Sequence, residues 1–293
     1  MTNFYPDFET KTISGPVGTH DVKIGGTGMP VLCLHGYPQT HAIFYKLAPL
    51  LTNHVTMILT DLRGYGTAPK PPTDASHSPY AKREMAKDMI AIMDALGYET
   101  FAVLGHDRGG RVAHRLAKDY PSRVTHLSVL DIAPTYAMYN QTDKAFATAY
   151  YHWFYLIQPA PLPEEMIGAN PEFYLRQKMQ SWSGSHNWLS DDAFAAYLDA
   201  FKNPDTIHGS CEDYRAAATI DLDHDSADLA VKLSCPVQAL WGQAGFVGKT
   251  YDVIAEWEKC AHNVTGHSVP GGHYLPEEAP QETAAALLSF WHS

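Results

Sequence analysis

The chain has 293 residues, 45% of them hydrophobic, and a formal net charge of −11. That length buries a large core and allows two domains, although α/β folds often run this long as one domain with an insertion. The acidic balance excludes a nucleic-acid footprint, and it slightly repels anions, so a site for an anionic ligand must supply its own local positive charge.

The start, Met1 to Gly15, is polar and has no apolar h-region, and no uninterrupted apolar run of membrane length follows; neither a secretory signal nor a membrane span is expected. Residues 10–25 alternate weakly and predict two antiparallel strands. Gly25-Gly26-Thr27-Gly28 precedes the next strand, Val31–Leu34, instead of following one, which rules it out as a dinucleotide loop. His35-Gly36-Tyr37-Pro38 closes that strand. Met57–Thr60 is the next, ending in Asp61-Leu62-Arg63-Gly64, and a Pro-rich loop follows. Met85, Met89, Ile92, Met93 and Leu96 lie at helical spacing over residues 81–96, with Gly97 as a stop. The strand Phe101–Leu104, a tight glycine-flanked turn, a helix from Val112 to Tyr120 and the strand Val124–Leu130 complete the first run.

From Ala133 to about Asp228 the pattern changes to aromatic-rich helices broken by prolines, with no convincing strand. Residues 133–228 are therefore expected to form a helical cap, and residues 1–132 with 229–293 the core. Strand–helix alternation resumes with Pro236–Gly242, a helix over Tyr251–Cys260, a strand near Thr265–Val269 and a helix over Glu277–Phe290. The prediction is a mostly parallel eight-stranded sheet with helices on both faces. Four scattered cysteines (Cys33, Cys211, Cys235, Cys260) without a CxxC read as reduced thiols of a cytoplasmic protein, with Cys33 in a core strand.

The chemistry centres on Gly105-His106-Asp107-Arg108-Gly109. An apolar strand runs into a tight turn and a helix follows, the setting of a nucleophile elbow, with Asp107 where ester hydrolases carry Ser. A carboxylate attacking an ester would give a labile anhydride. Attacking a saturated carbon, it displaces a leaving group and leaves an alkyl ester that water then cleaves. Halide displacement or epoxide opening is the expected chemistry. Asp131 and His273 also fall just past strand ends, where ligands bind in such sheets, and the chain order is nucleophile, acid, histidine. His273 is the candidate base and Asp131 its orienting acid. Trp241-Gly242-Gln243-Ala244-Gly245, one strand later, offers no carboxylate; Asp252 is the reserve acid. Backbone N–H groups of Tyr37 and Arg108 are the candidate oxyanion donors. Arg108 and Arg111, three apart on the elbow helix, share a face and form a candidate carboxylate clamp.

The chain resembles the fluoroacetate (haloacetate) dehalogenases, whose fold is that of the α/β hydrolases. The likeness spans nearly the whole sequence: His35-Gly36-Tyr37-Pro38-Gln39-Thr40, His106-Asp107-Arg108-Gly109-Gly110-Arg111, Val129-Leu130-Asp131-Ile132, Tyr151-His152-Trp153, Gln158–Pro163, Ser181-Trp182, Cys211–Ala216 and Gly272–Glu278. The resemblance implies Asp107 as nucleophile, His273 as base, Asp131 as its partner, and Arg108 and Arg111 on the substrate carboxylate. It places His152, Trp153 and Tyr214 in a halide pocket with Trp182 as a nearby wall. Imidazole, indole and phenol are all donors, as a strongly hydrated halide requires. It further implies a homodimer acting on a small 2-haloacid and water. The family tends to carry Phe at the position of Tyr37, where a phenol could alter substrate fit or cap contacts. No metal or cofactor is called for, and Asp221-Leu222-Asp223-His224-Asp225 is read as loop hydrogen bonds and charge pairs. Two alternatives stand beside this reading. An epoxide hydrolase would use the same Asp with cap phenols (Tyr150, Tyr151, Tyr155, Tyr214), although paired arginines disfavour an apolar epoxide. A non-catalytic small-molecule receptor on the same fold is the other.

Overall fold

The computed structural model describes residues 2–185 and 188–293. Strands β1 (Glu9–Gly15), β2 (Gly18–Gly26), β3 (Met29–Leu34), β4 (Val55–Thr60), β5 (Phe101–His106), β6 (Val124–Leu130), β7 (Val237–Gly242) and β8 (Val264–Val269) form one sheet in the order β1-β2-β4-β3-β5-β6-β7-β8. β1 pairs antiparallel with β2 and β2 antiparallel with β4; all other pairs are parallel. Every residue of β4 and β5 is buried, as expected for central strands covered on both faces. β5 distributes its side chains by alternation. Phe101 and Val103 join a core layer with Met85, Met89, Ile92 and Leu116, whereas Ala102 and Leu104 face Val31, Cys33, Leu59 and Leu287 on the other side. Burying each of these larger side chains contributes about 1.5–3 kcal/mol.

The helix Lys82–Ala95 follows the predicted span, and Gly97 ends it at φ +80°. Its start has no local side-chain cap. Instead, Asp221 reaches across and accepts from the Lys82 N–H at 2.9 Å. The elbow helix begins at Arg108, four residues before the predicted start. Helix propensity places Gly109-Gly110 outside a helix, but tertiary contact overrides it. A Cβ on Gly109 would strike the Leu34 carbonyl, and one on Gly110 the Ile132 side chain. The expected helix over 251–260 is two short pieces, Val247–Thr250 and Val253–Glu258. Asp252 is exposed and caps the second piece through Ala255 N–H (3.1 Å), so it does not serve as the reserve acid. The last helix is broken at Ala279, before Pro280, into Leu275–Glu278 and Pro280–Trp291. Asp221–Asp225 lies in a helix, Ile220–Ala227, not in a loop; there Asp221 pairs with Lys82 (3.1 Å) and Asp225 with Arg115 (2.6 Å).

Between β6 and β7 the described residues form helices only, from Thr135–Asn140 to Ile220–Ala227. This insertion meets the strand ends through specific bonds. Tyr37 Oη lies 2.9 Å from Tyr174 Oη, so the phenol at position 37 makes a contact with the insertion. The His273 N–H donates to the Trp182 carbonyl at 2.9 Å. Glu277, fully buried, is held by Gln39 Nε2 (2.6 Å) and by the Tyr197 hydroxyl (3.1 Å).

Burial pushes the Glu277 carboxyl up to about 8, against favourable bonds from Gln39 and Tyr197. The Gln39 Oε1 is buried without a partner, and turning that amide over would let a protonated Glu277 donate to it. A carboxyl whose folded pKa is raised stabilises the fold fully at acid pH. That contribution drains away as pH rises from the unfolded value toward 8. Glu277→Gln, which mimics the neutral form, is expected to melt at or above the wild-type temperature at about pH 8.5, by a few degrees, with the advantage vanishing near about pH 5. Thermal melts across that range check the expectation; a variant less stable by the same amount at both pH values contradicts it.

Candidate active site

The sheet register builds the site. His106 pairs with Leu130 and Leu130 with Leu240, so the residues that follow, Asp107, Asp131 and Trp241, come off neighbouring strands in one row. Asp107 sits at φ 46°, ψ −113°, and Asp131 at φ 51°. Both are positive-φ positions for residues with side chains, a strain that clusters at functional sites. The elbow is tight enough that a Cβ on Gly36 would strike Asp107 itself.

Asp107 is 2% exposed. Its Oδ1 accepts from the Tyr37 N–H at 2.9 Å, and its Oδ2 lies 3.8 Å from His273 Nε2. The His273 Nδ1 contacts Asp131 Oδ2 at 2.6 Å, and the other Asp131 oxygen accepts from the Gly242 N–H at 3.0 Å. The imidazole is thus oriented by one carboxylate with its second nitrogen aimed at another; that Nε2 is buried and has no hydrogen-bond partner. The loop around it is braced by Glu278, which accepts from Gly272 N (3.0 Å), Tyr274 N (3.0 Å) and Gly184 N (2.7 Å).

Burial alone would raise the Asp107 pKa, but His273, Arg111 and Arg108 hold it below the usual carboxylate range. Burial alone would lower His273, yet the bond and charge of Asp131 and the charge of Asp107 raise it above the ordinary value. The resting pair is therefore a carboxylate beside a readily protonated imidazole.

Arg108 and Arg111 are both buried, and their surroundings differ. Arg108 is bidentate to Asp213 through Nε (2.7 Å) and Nη2 (2.8 Å), leaving one buried nitrogen, Nη1, without a partner. Arg111 meets only neutral acceptors, Thr135 Oγ1 (2.8 Å), the Ala133 carbonyl (3.3 Å) and Met138 Sδ (3.3 Å), and its Nε is without a partner. Burial and the neighbouring Arg108 lower the Arg111 pKa. The two guanidinium groups lie over the rings of Tyr214 (4.1 Å) and Trp153 (4.7 Å).

The insertion brings His152, Trp153 and Tyr214 together with all three fully buried. The His152 and Tyr214 ring centroids are 5.5 Å apart, and Trp153 lies 6.4 Å from Tyr214. Both His152 nitrogens, Trp153 Nε1, Trp182 Nε1 and the Tyr214 hydroxyl are buried without partners. Burial keeps His152 neutral, well below its ordinary pKa, and Tyr214 neutral, well above its own. Buried donors are normally satisfied. Here a cluster of unsatisfied donors lies beside two guanidinium groups. Trp182 stands between this cluster and the base, 4.5 Å from the His152 ring and 5.3 Å from that of His273.

The sequence reading gave no role to Asp213, Lys82 or Glu278. Asp213 and Glu278 lie within Cys211–Ala216 and Gly272–Glu278, but a carboxylate among charged neighbours does not reveal its partner without the fold, and nothing in the sequence marked Lys82.

A parallel sheet carrying an acidic elbow and an Asp-paired histidine defines an α/β hydrolase, and the alpha/beta hydrolase fold family matches residues 29–280. Within that superfamily the chain belongs to the fluoroacetate (haloacetate) dehalogenase family: it is 39% identical over 287 residues to the fluoroacetate dehalogenase of Burkholderia sp., covering 98% of this chain and 94% of that one. It is also 32% identical over 270 residues to the soluble epoxide hydrolase of Corynebacterium sp. (strain C12), with 91% of each chain covered. A solved protein of the same fold from Nostoc sp PCC 7120 superposes with a TM-score of 0.97 at 52% identity, covering 99% of both chains. Among the described residues, no helix is long and apolar enough to cross a membrane.

Proposed function

We propose that this hydrolase cleaves the carbon–halogen bond of short 2-haloacids, such as fluoroacetate or chloroacetate, with water as co-substrate. The observation that carries the reading is Arg111, a buried guanidinium beside Asp107 whose protein partners are all neutral. Among the described residues no carboxylate hydrogen-bonds to it, and the one that faces it, Asp107, loses its charge on alkylation; a buried cation left without a counter-ion is costly, and a substrate carboxylate supplies one. An apolar epoxide or a neutral haloalkane does not.

In the proposed mechanism Asp107 Oδ2 attacks the halogen-bearing carbon in line, since Oδ1 is held at the Tyr37 N–H. The carbon–halogen pair leaves as halide toward His152, Trp153 and Tyr214, and an Asp107 alkyl ester remains. Esterification removes the Asp107 charge that helps raise His273, so the imidazole is more readily neutral, and able to accept a proton, when it is needed. His273 then takes a proton from water, whose oxygen bonds to the ester carbonyl carbon. The resulting oxyanion on Oδ1 meets the Tyr37 N–H, with the Arg108 N–H as the second proposed donor. Collapse expels the hydroxy-acid alkoxide, which His273 protonates. The regenerated carboxyl loses its proton, so one halide and one proton appear per turnover. Residues 133–228 act in this reading as a cap over the core, and the enzyme works as a homodimer in the cytoplasm.

The second reading, epoxide hydrolysis, draws on the neutral phenol of Tyr214 beside the elbow and on the 32% identical relative. Product formation from fluoroacetate, chloroacetate, a neutral haloalkane and a terminal epoxide, measured side by side, separates the two. Halide release from the haloacids, at least about 10²-fold above any neutral substrate in kcat/KM, is expected. Turnover confined to the neutral compounds would overturn the haloacid reading.

A further inference from the structure

Asp213 lies within the helix Pro204–Ala217 of the insertion and is fully buried. Its Oδ2 receives Arg108 Nε (2.7 Å) and the Tyr65 hydroxyl (2.7 Å). Its Oδ1 receives Arg108 Nη2 (2.8 Å) and the Lys82 ammonium, and Lys82 also reaches Asp221 at 3.1 Å. The charges close: Arg108 and Lys82 stand against Asp213 and Asp221. Arg108 therefore enters the pocket already neutralised, with Nη1 as its one unpartnered nitrogen. Arg111, one helical turn on, keeps its charge.

From this we infer that Asp213 is a positioning and specificity-determining residue that divides the labour of the two arginines. It fixes Arg108 as a directional donor whose charge is offset by a bonded carboxylate and leaves Arg111 as the charge that reads the substrate carboxylate. The inference rests on the haloacid reading and deepens it. A guanidinium pair of which only Arg111 lacks a bonded carboxylate favours monoanions over dianions and lets a hydroxy-acid product leave.

The test measures binding of acetate and oxalate by calorimetry, which needs no turnover, together with chloroacetate kinetics. Arg111→Gln is expected to weaken acetate binding at least about tenfold more than Arg108→Gln. Asp213→Asn frees the second guanidinium charge. Oxalate is then expected to gain about tenfold over acetate, with KM and kcat for chloroacetate falling together, because ground state and product are held more tightly. A purely structural role would raise KM instead. Equal acetate losses in the two arginine variants, or parallel shifts of acetate and oxalate in Asp213→Asn, overturn the inference while leaving the haloacid reading intact. If Asp213→Asn does not fold, the arginine pair still decides. Failure of the wild-type protein to bind any carboxylate overturns the haloacid reading itself, and this inference with it.

Discussion

Replacing Asp107 by Asn is expected to lower kcat for chloroacetate by about 10⁴-fold or more, with the fold intact. Asn is nearly isosteric and tolerates the φ of 46° that the elbow imposes. Its amide oxygen can still accept from the Tyr37 N–H. What it lacks is a nucleophilic oxygen with a full negative charge, and in the proposed mechanism every turnover passes through a bond to that oxygen. The resting enzyme keeps the carboxylate ionised despite complete burial because His273, Arg111 and Arg108 surround it. Halide release followed alongside a thermal melt checks the expectation. A folded Asp107→Asn protein that retains more than about one per cent of wild-type turnover would mean that water attacks the substrate directly.

The second large effect is expected at His273, and it differs in kind. His273→Gln leaves the first step in place and removes the second. One equivalent of halide should appear in a burst, turnover should then stop, and the protein should gain the mass of one carboxymethyl group on the peptide bearing Asp107. The geometry supplies the reason. The imidazole lies 3.8 Å from Asp107 Oδ2, with its far nitrogen fixed to Asp131 at 2.6 Å. In the proposed mechanism it delivers water and has no part in displacing the halide. The pH dependence carries the same sign. Hydrolysis of the ester needs neutral His273, which Asp131 still raises after the Asp107 charge is gone, so turnover falls as pH drops through the imidazole pKa of the ester intermediate. Alkylation needs only ionised Asp107, whose pKa is depressed, and persists to lower pH. Wild-type enzyme at a pH below the His273 pKa of the ester should therefore also accumulate the adduct. Loss of the burst in His273→Gln would place the histidine in the first step instead.

The fold was largely legible because its signals are local. Apolar runs marked β3 to β7 within a few residues, and helical spacing of Met85, Met89 and Ile92 marked the helix that covers them. Errors came where distant contacts overrode local preference. Gly109-Gly110 sit inside a helix because the elbow packs against Leu34 and Ile132. At the candidate site the same division holds. Asp107, Asp131 and His273 could be read from their places after strands, since a parallel sheet sends strand ends to one edge. The unequal arginines could not. Adjacent sequence presents them as a matched pair, and only the helix Pro204–Ala217, a hundred residues on, distinguishes them by bonding Asp213 to one and not to the other.

The central claim, a transient ester on Asp107, is tested most directly by a single turnover of chloroacetate in ¹⁸O-labelled water with enzyme in excess. The account predicts glycolate free of label and one labelled oxygen in the Asp107 carboxylate, found by mass spectrometry of the peptide. Label in the glycolate with none in Asp107 would contradict it.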